Sequence, residues 1–323
     1  MMSDSLEKTA TTSPKKSGLN RGPGRKPGAS ALKHKNMVVH GSWWWALPGL
    51  AAVFAVHYVA TFLGASYAFT DFNGIGSFQW VGLDNFVRIL DDYEVMASLG
   101  NTAFIAIGYL LITNVVGLLL ALALNRGLKT RYLLRTVLFL PVVLSAISVS
   151  YIFKYIFAFD GPLNGILGAL GLENLQRIWL AEPDSALVAV LIVAVWQNIG
   201  MAMVIYLAGL ALVPQELEEA AALDGAGLWG RFRNITLPMI QPAIAINTTL
   251  ALTSGLKIFD QVKAMTNGGP FGATDTLSTV IYRNTYEFMN YGYGAAISLV
   301  FSVVILVAAA IQLYLTRDRG VNN

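Results

Sequence analysis

Six side chains have the types and positions to meet a solute inside a membrane. Trp196 and Asn198 lie in one long apolar stretch; Asn247, Lys257, Phe259 and Asp260 lie in the next. Polar groups at membrane depth are costly and usually face a bundle interior or a cavity. Amides, an ammonium and a carboxylate all hydrogen-bond hydroxyl groups, while Trp196 and Phe259 offer flat apolar faces. The set suits a solute rich in hydroxyls that also has apolar ring faces. A plainer reading stands beside it. Neighbouring Thr248, Thr249, Thr253 and Ser254 can glue helices together through interhelical hydrogen bonds. Lys257 and Asp260, three apart, can simply pair on one helix face.

No residue cluster has the spacing of a catalytic centre. The chain has no cysteine, which removes disulfides, thiolate metal sites and cysteine nucleophiles. No phosphate-binding loop of the form Gly-x-x-x-x-Gly-Lys-Ser/Thr occurs, so the chain is expected not to hydrolyse ATP itself. Metal-ligand spacings and nucleophile–base pairs are missing too; no metal and no bound cofactor are expected. His57 stands alone within an apolar run and reads as a hydrogen-bonded packing residue rather than a proton relay.

These residues need elements to hold them, and composition says which. Of 323 residues, 55% are hydrophobic and 13% charged, against roughly a quarter charged in soluble domains. A membrane-spanning helix takes about 20 apolar residues. Six runs qualify, near Ala46–Phe69, Leu99–Leu124, Thr136–Phe157, Ala186–Leu212, Ala243–Val262 and Gly292–Thr316. Pro48, Pro141 and Gly200 inside them are tolerated in a helix bundle. The first run begins after some forty polar residues and does not read as a cleaved signal peptide.

Basic residues set the orientation. Sixteen of the 22 fall in the tail before Trp43, the loops after the second and fourth runs, and the C-terminus. Both termini are therefore expected in the cytoplasm. Residues 1–42, rich in Lys, Arg, Gly, Pro and Ser, read as a disordered basic tail drawn to anionic lipid. Nucleic-acid binding is set aside, since the tail has no aromatic interleaving and is tethered to a span. Trp43, Trp44 and Trp45 read as interfacial anchors.

The loop after the fourth run has the densest pattern. Pro214 closes the run, and Glu216, Glu218 and Glu219 put acid where a helix dipole favours it. Ala220–Ala222 favour helix, and Gly225 after Asp224 permits a tight turn. Glu219-Ala220-Ala221, three residues, Gly225, nine residues, then Ile235-x-Leu237-Pro238 is the full spacing. This segment resembles the cytoplasmic "EAA" loop of importer-type ABC transporter permeases. Three outer segments resemble the sugar-transporting group of that family: Phe78 to Phe86 with Asn101-Thr102; Gly161, Asn164, Gly171, Trp179, Leu180 and Pro183; and Thr266 to Pro270 with Thr274 to Leu277 and Tyr282. The likeness runs from about Trp43 to the C-terminus.

The resemblance implies an all-α integral membrane protein of six transmembrane helices with the MetI-like fold of ABC importer permeases. It makes residues 43–323 the permease domain, with a coupling loop at about 215–238. There Glu219, Ala220, Ala221, Asp224, Gly225 and Ala226 would dock into an ATPase, and Ile235, Leu237 and Pro238 would lead back to the membrane. It further implies a bacterial inner-membrane location, a second homologous permease, two copies of a cytoplasmic ATPase using ATP and Mg, and an extracytoplasmic solute-binding protein. The solute would be a sugar or oligosaccharide. One rival keeps the machinery but carries glycerol phosphate or a polyol, with Lys257 and Arg283 meeting the phosphate. Another is a stand-alone secondary transporter, for which inverted repeats or ion-coupling residues would speak; neither is found.

Overall fold

The apolar runs become helices because a bilayer leaves backbone groups no other partner. The structure is a computed structural model and describes residues 43–125 and 129–316. The basic tail expected at residues 1–42 lies outside the described residues, as do 126–128 and 317–323. Among the described residues, four unbroken helices are long and apolar enough to cross a membrane: α1 (Trp44–Phe69), and three described below. Contacts divide the chain after Ala51; Trp44–Ala51 are the opening turns of α1, and the residues from Ala52 on make up the second unit.

From Ala52 to Leu63 every residue of α1 is exposed. The helix satisfies its own backbone and presents its apolar side chains outward. His57 sits in a π-helical stretch, Phe54–Val59, and its imidazole makes no hydrogen bond to a described residue. Its ring lies near Tyr58 alone, at 6.4 Å. The packing role expected for it is not met among the described residues, none of which covers this face.

A short outer helix, α2 (Asp84–Asp91), leads to α3 (Tyr93–Leu124). Asp92 caps α3 by accepting from the backbone N–H groups of Glu94 and Val95 at 3.0 and 3.3 Å, satisfying donors that a helix start leaves orphaned. With 32 residues, α3 is about 48 Å long at 1.5 Å per residue, longer than the hydrocarbon layer. Its outer turns therefore stand clear of the span and are free to hold loops.

The third run is not one straight helix. It forms α4 (Arg131–Val143) and α5 (Ala146–Ile156), bent by 100° across Leu144-Ser145. Pro141 and the bend free backbone carbonyls, and a neighbour re-satisfies one: Gln197 Nε2 donates to the Leu144 carbonyl at 2.9 Å. Such repair is what permits a break at membrane depth. After α6 (Pro162–Ala169) comes α7 (Pro183–Leu210), the most buried helix and the axis of the bundle. Gly200 lets α4 lie against it, since an added Cβ would sit 2.8 Å from Phe139 Cα.

Beyond the polar loop, α8 (Gln215–Leu223) and α9 (Leu228–Met239) precede the fifth run, with a 69° bend between α9 and the helix that begins at Gln241. This run is broken as well. It comprises α10 (Gln241–Leu256) and α11 (Asp260–Met265), separated by Lys257-Ile258-Phe259. Here Thr276 Oγ1 donates to the freed Ile258 carbonyl at 3.1 Å. Finally α12 (Leu277–Tyr282) and a π-helical stretch, Arg283–Glu287, lead to α13 (Tyr291–Thr316). The six expected spans thus appear as four straight helices and two bent pairs.

Candidate functional site

The break in the fifth run opens a cavity of about 320 Å³. Asn198 of α7, Tyr109 of α3, and Lys257, Phe259 and Asp260 at the break contribute to its wall. Breaking the helix aims consecutive residues at one space, which a regular helix would spread around its axis. Lys257 and Asp260 form no ion pair, and neither side chain has a hydrogen-bond partner among the described residues. The intrahelical pairing open to them on sequence is lost because Lys257-Ile258-Phe259 leaves the helix. Asn198 Nδ2 donates to its own helix at Ala194, 3.1 Å. Phe259 packs on Tyr282 at 5.3 Å between ring centroids.

Two of the sequence candidates lie elsewhere. Trp196 is exposed and meets Phe153 edge-on at 5.0 Å, on the other side of α7 from the cavity wall. Asn247 is buried and donates to the Ala202 carbonyl at 3.2 Å, joining α10 to α7. On sequence Gln197 stands between Trp196 and Asn198 midway along the fourth run but is not among the path candidates, and neither is Gln261. Gln261 donates to Gln197 at 3.1 Å, and Gln197 donates to Leu144. This buried amide relay joins α11, α7 and the α4–α5 bend, and its Gln261 is part of the cavity wall. The signal was present: Gln197 is an amide in the middle of an apolar run, beside Asn198.

The outer loop above the cavity is clamped. Arg283 donates to both Asp275 oxygens, at 3.2 and 2.7 Å, and also to Glu94 on α3. Asp275 is only 3% exposed at its side chain. Burial works to lower the Arg283 pKa, but its hydrogen bonds and charge attraction to Asp275 and Glu94 outweigh this and raise it. Asn101 of α3 donates to the Gly272 and Asp275 carbonyls at 3.3 and 3.0 Å. Thr276 and Thr279 cap α12 reciprocally.

The polar loop on the other side is built differently. Glu219, Ala220 and Ala221 lie on α8, which buries none of its residues. The helix stops in a Schellman turn: Gly225 N–H donates to Ala222 and Ala226 N–H to Ala221, at 3.1 and 2.9 Å. Asp224 is the C-cap and Gly225 takes φ +83°, a conformation glycine adopts without strain. One side-chain bond ties α8 to the return helix, from Thr236 Oγ1 to Glu218 at 3.0 Å. Ile235 and Leu237 are half-buried, Leu237 packing against Ile240 and its apolar cluster, while Pro238 is exposed. Leu223, Leu228 and Trp229 stand exposed around the turn. Apolar side chains grouped on a polar loop mark an interaction surface.

Membrane-length apolar helices, a cavity at a broken helix and an exposed loop helix are together the features of a transport subunit. Comparison with known proteins gives the family. Residues 113–321 match the model for the binding-protein-dependent transport system inner membrane component, and the chain belongs to that family, the permeases of ABC importers. It is 33% identical to the multiple sugar-binding transport system permease protein MsmF of Streptococcus mutans, over 87% of this chain and 97% of the other. It is 36% identical to the lactose transport system permease protein LacF of Rhizobium radiobacter, over 75% and 82%. A bacterial ABC transporter involved in import of the acidic polysaccharide alginate contains a chain of the same fold, with a TM-score of 0.75 at 24% identity, covering 86% of this chain and 95% of that one.

Proposed function

We propose that this chain forms the membrane path for a carbohydrate in an ATP-driven importer. The observation that carries the reading is the cavity at the break of the fifth run, where Asn198, Lys257 and Asp260 present polar groups beside the Phe259 ring. The names of the relatives, which cover most of this chain, point the same way. A neutral sugar fits better than a phosphate. Arg283, the second cation a phosphate would need, is already held by Asp275 and Glu94, and Asp260 would repel an anion at Lys257.

In this reading an extracytoplasmic binding protein delivers the solute to the outer loops, and a second homologous permease completes the path. Two ATPases dock on the α8 loops, the basic loops and both termini facing the cytoplasm. ATP and Mg stay with the ATPase. Closure of the ATPases moves α8 as a rigid body, and the Glu218–Thr236 bond passes that motion to α9. The bends of the third and fifth runs are the joints at which the path rearranges.

Uptake of labelled lactose, maltose and trehalose into vesicles carrying the assembled transporter tests this. ATP inside the vesicles should drive uptake. Asn198→Ala and Asp260→Ala should each raise KM about tenfold, equivalent to about 1.4 kcal/mol. Uptake that follows an imposed ion gradient without ATP would contradict the reading.

A further inference from the structure

We infer that an aromatic track leads from the outer surface down to the cavity and hands a saccharide chain along it, ring face by ring face. The inference rests on the carbohydrate reading above and extends it to a binding surface outside the cavity. Six rings form an unbroken series: Phe259, Tyr282, Tyr286, Tyr291, Phe72 and Phe78. Successive centroids are 5.3, 5.3, 6.3, 5.9 and 5.9 Å apart. Phe259 is in the cavity wall; Phe78 belongs to the outer segment before α2.

Rings that only fill a core are buried on all sides. Tyr286 is 60% exposed and Phe78 40%, and the other four rings are partly exposed, so none of the series is closed off in a core. The hydroxyls of Tyr282, Tyr286 and Tyr291 make no hydrogen bond to any described residue. Each ring therefore offers an apolar face and a free donor–acceptor, the two groups that a pyranose with one apolar face and a rim of hydroxyls requires. The rings are held in place. Lys263 Nζ lies 4.6 Å from the centre of Tyr282 and is paired with Glu287 at 2.5 Å. A series of similar rings, each near enough to accept a sugar before the previous one lets go, has no deep well to trap it. Longer chains would span more rings than short ones.

The test uses the assembled transporter and uptake of lactose, trehalose, maltose and maltopentaose. Tyr286→Ala should raise KM about tenfold for maltopentaose and less than about threefold for the disaccharides, with Vmax unchanged, tenfold being about 1.4 kcal/mol. Tyr286→Phe should restore most of the loss. Equal effects on all sugars, or no rescue by Phe, would mark Tyr286 as packing and overturn the track. So would a wild-type transporter confined to disaccharides. Because the chain has no cysteine, Tyr286→Cys adds its single thiol. A charged thiol reagent should label it from outside, maltopentaose should slow the labelling, and Phe62→Cys on exposed α1 should stay unlabelled. An unlabelled Tyr286→Cys would mean that lipid or the second permease covers the rings. Wild-type membranes that take up none of the sugars would instead sink the carbohydrate reading itself, and the two failures are read on separate samples.

Discussion

The two loops that flank the fifth run differ in how they are tied down. The loop from Thr266 to Glu287 is tied to its own chain at several points, although Phe271 and Tyr286 stand exposed on it. Asp275 lies buried under Arg283, Glu94 reaches in from α3, and Asn101 holds two of the loop's carbonyls. The inner loop, from Gln215 to Thr236, has one cross-link, Thr236 to Glu218, and leaves Leu223, Leu228 and Trp229 in the open. The two differ in how many polar ties hold them: a buried ion pair and two amide bonds fix one loop, while a single hydroxyl–carboxylate bond fixes the other. The difference puts the more heavily bonded loop beside the break at Ile258 and the sparsely bonded one at the other end of the fifth run.

The sharpest way to use this contrast is to damage each loop and ask what fails. Gly225→Asp should bring uptake down to background while the protein still inserts, with only the small loss of Tm that a strained side chain at φ +83° costs. An added Cβ at Gly225 meets nothing within 4 Å in this chain, and Asp is among the residues that best tolerate positive φ. Any clash would be with a docked partner, so normal uptake by this variant would remove the coupling role from the loop.

Arg283→Ala should do the opposite and strike stability first. It strands Asp275 in a buried site, and uncompensated buried charges cost about 3–5 kcal/mol. Because Arg283 is itself partly exposed, the low end of that range is expected, read as a lower Tm of the detergent-solubilised protein. An unchanged Tm would show that the outer clamp carries no load.

Gln197→Leu should cost less, about 1–3 kcal/mol for leaving the Leu144 carbonyl and Gln261 unpaired. It should also reduce uptake, since the relay braces the cavity wall; thermal unfolding and transport assays together check this. The smallest effect is expected at Thr236→Val, about 0.5–1.5 kcal/mol for one hydrogen bond. Its transport rate should fall while ATPase docking, measured by co-sedimentation, persists.

The inner loop was legible in the sequence because its signals are local: Pro214, the alanines, and Gly225 with its neighbours specify a helix and its stop within a dozen residues. The straight spans were legible for the same reason. The bends were not. The third run reads as continuously apolar, and what breaks it at Leu144 is stabilised by Gln197, 53 residues away. Lys257 and Asp260 looked like a helix-face pair because the break between them is supported from Thr276, beyond α11. The outer clamp joins Glu94 to Arg283, 189 residues apart, and no local pattern announces such a contact. Four of the six candidate path residues share the cavity wall. Trp196 and Asn247 lie off it because, on a buried helix, neighbouring positions face different directions.

The central claim is that this chain transports only as part of an ATP-driven assembly. The most direct measurement is to extract the tagged chain from its native membrane in mild detergent, identify what accompanies it, and reconstitute the result. The account predicts recovery of a second permease and an ATPase with a phosphate-binding loop, and saccharide uptake that stops when ATP is withheld. Recovery of the chain alone, moving solute in ATP-free vesicles, would contradict it.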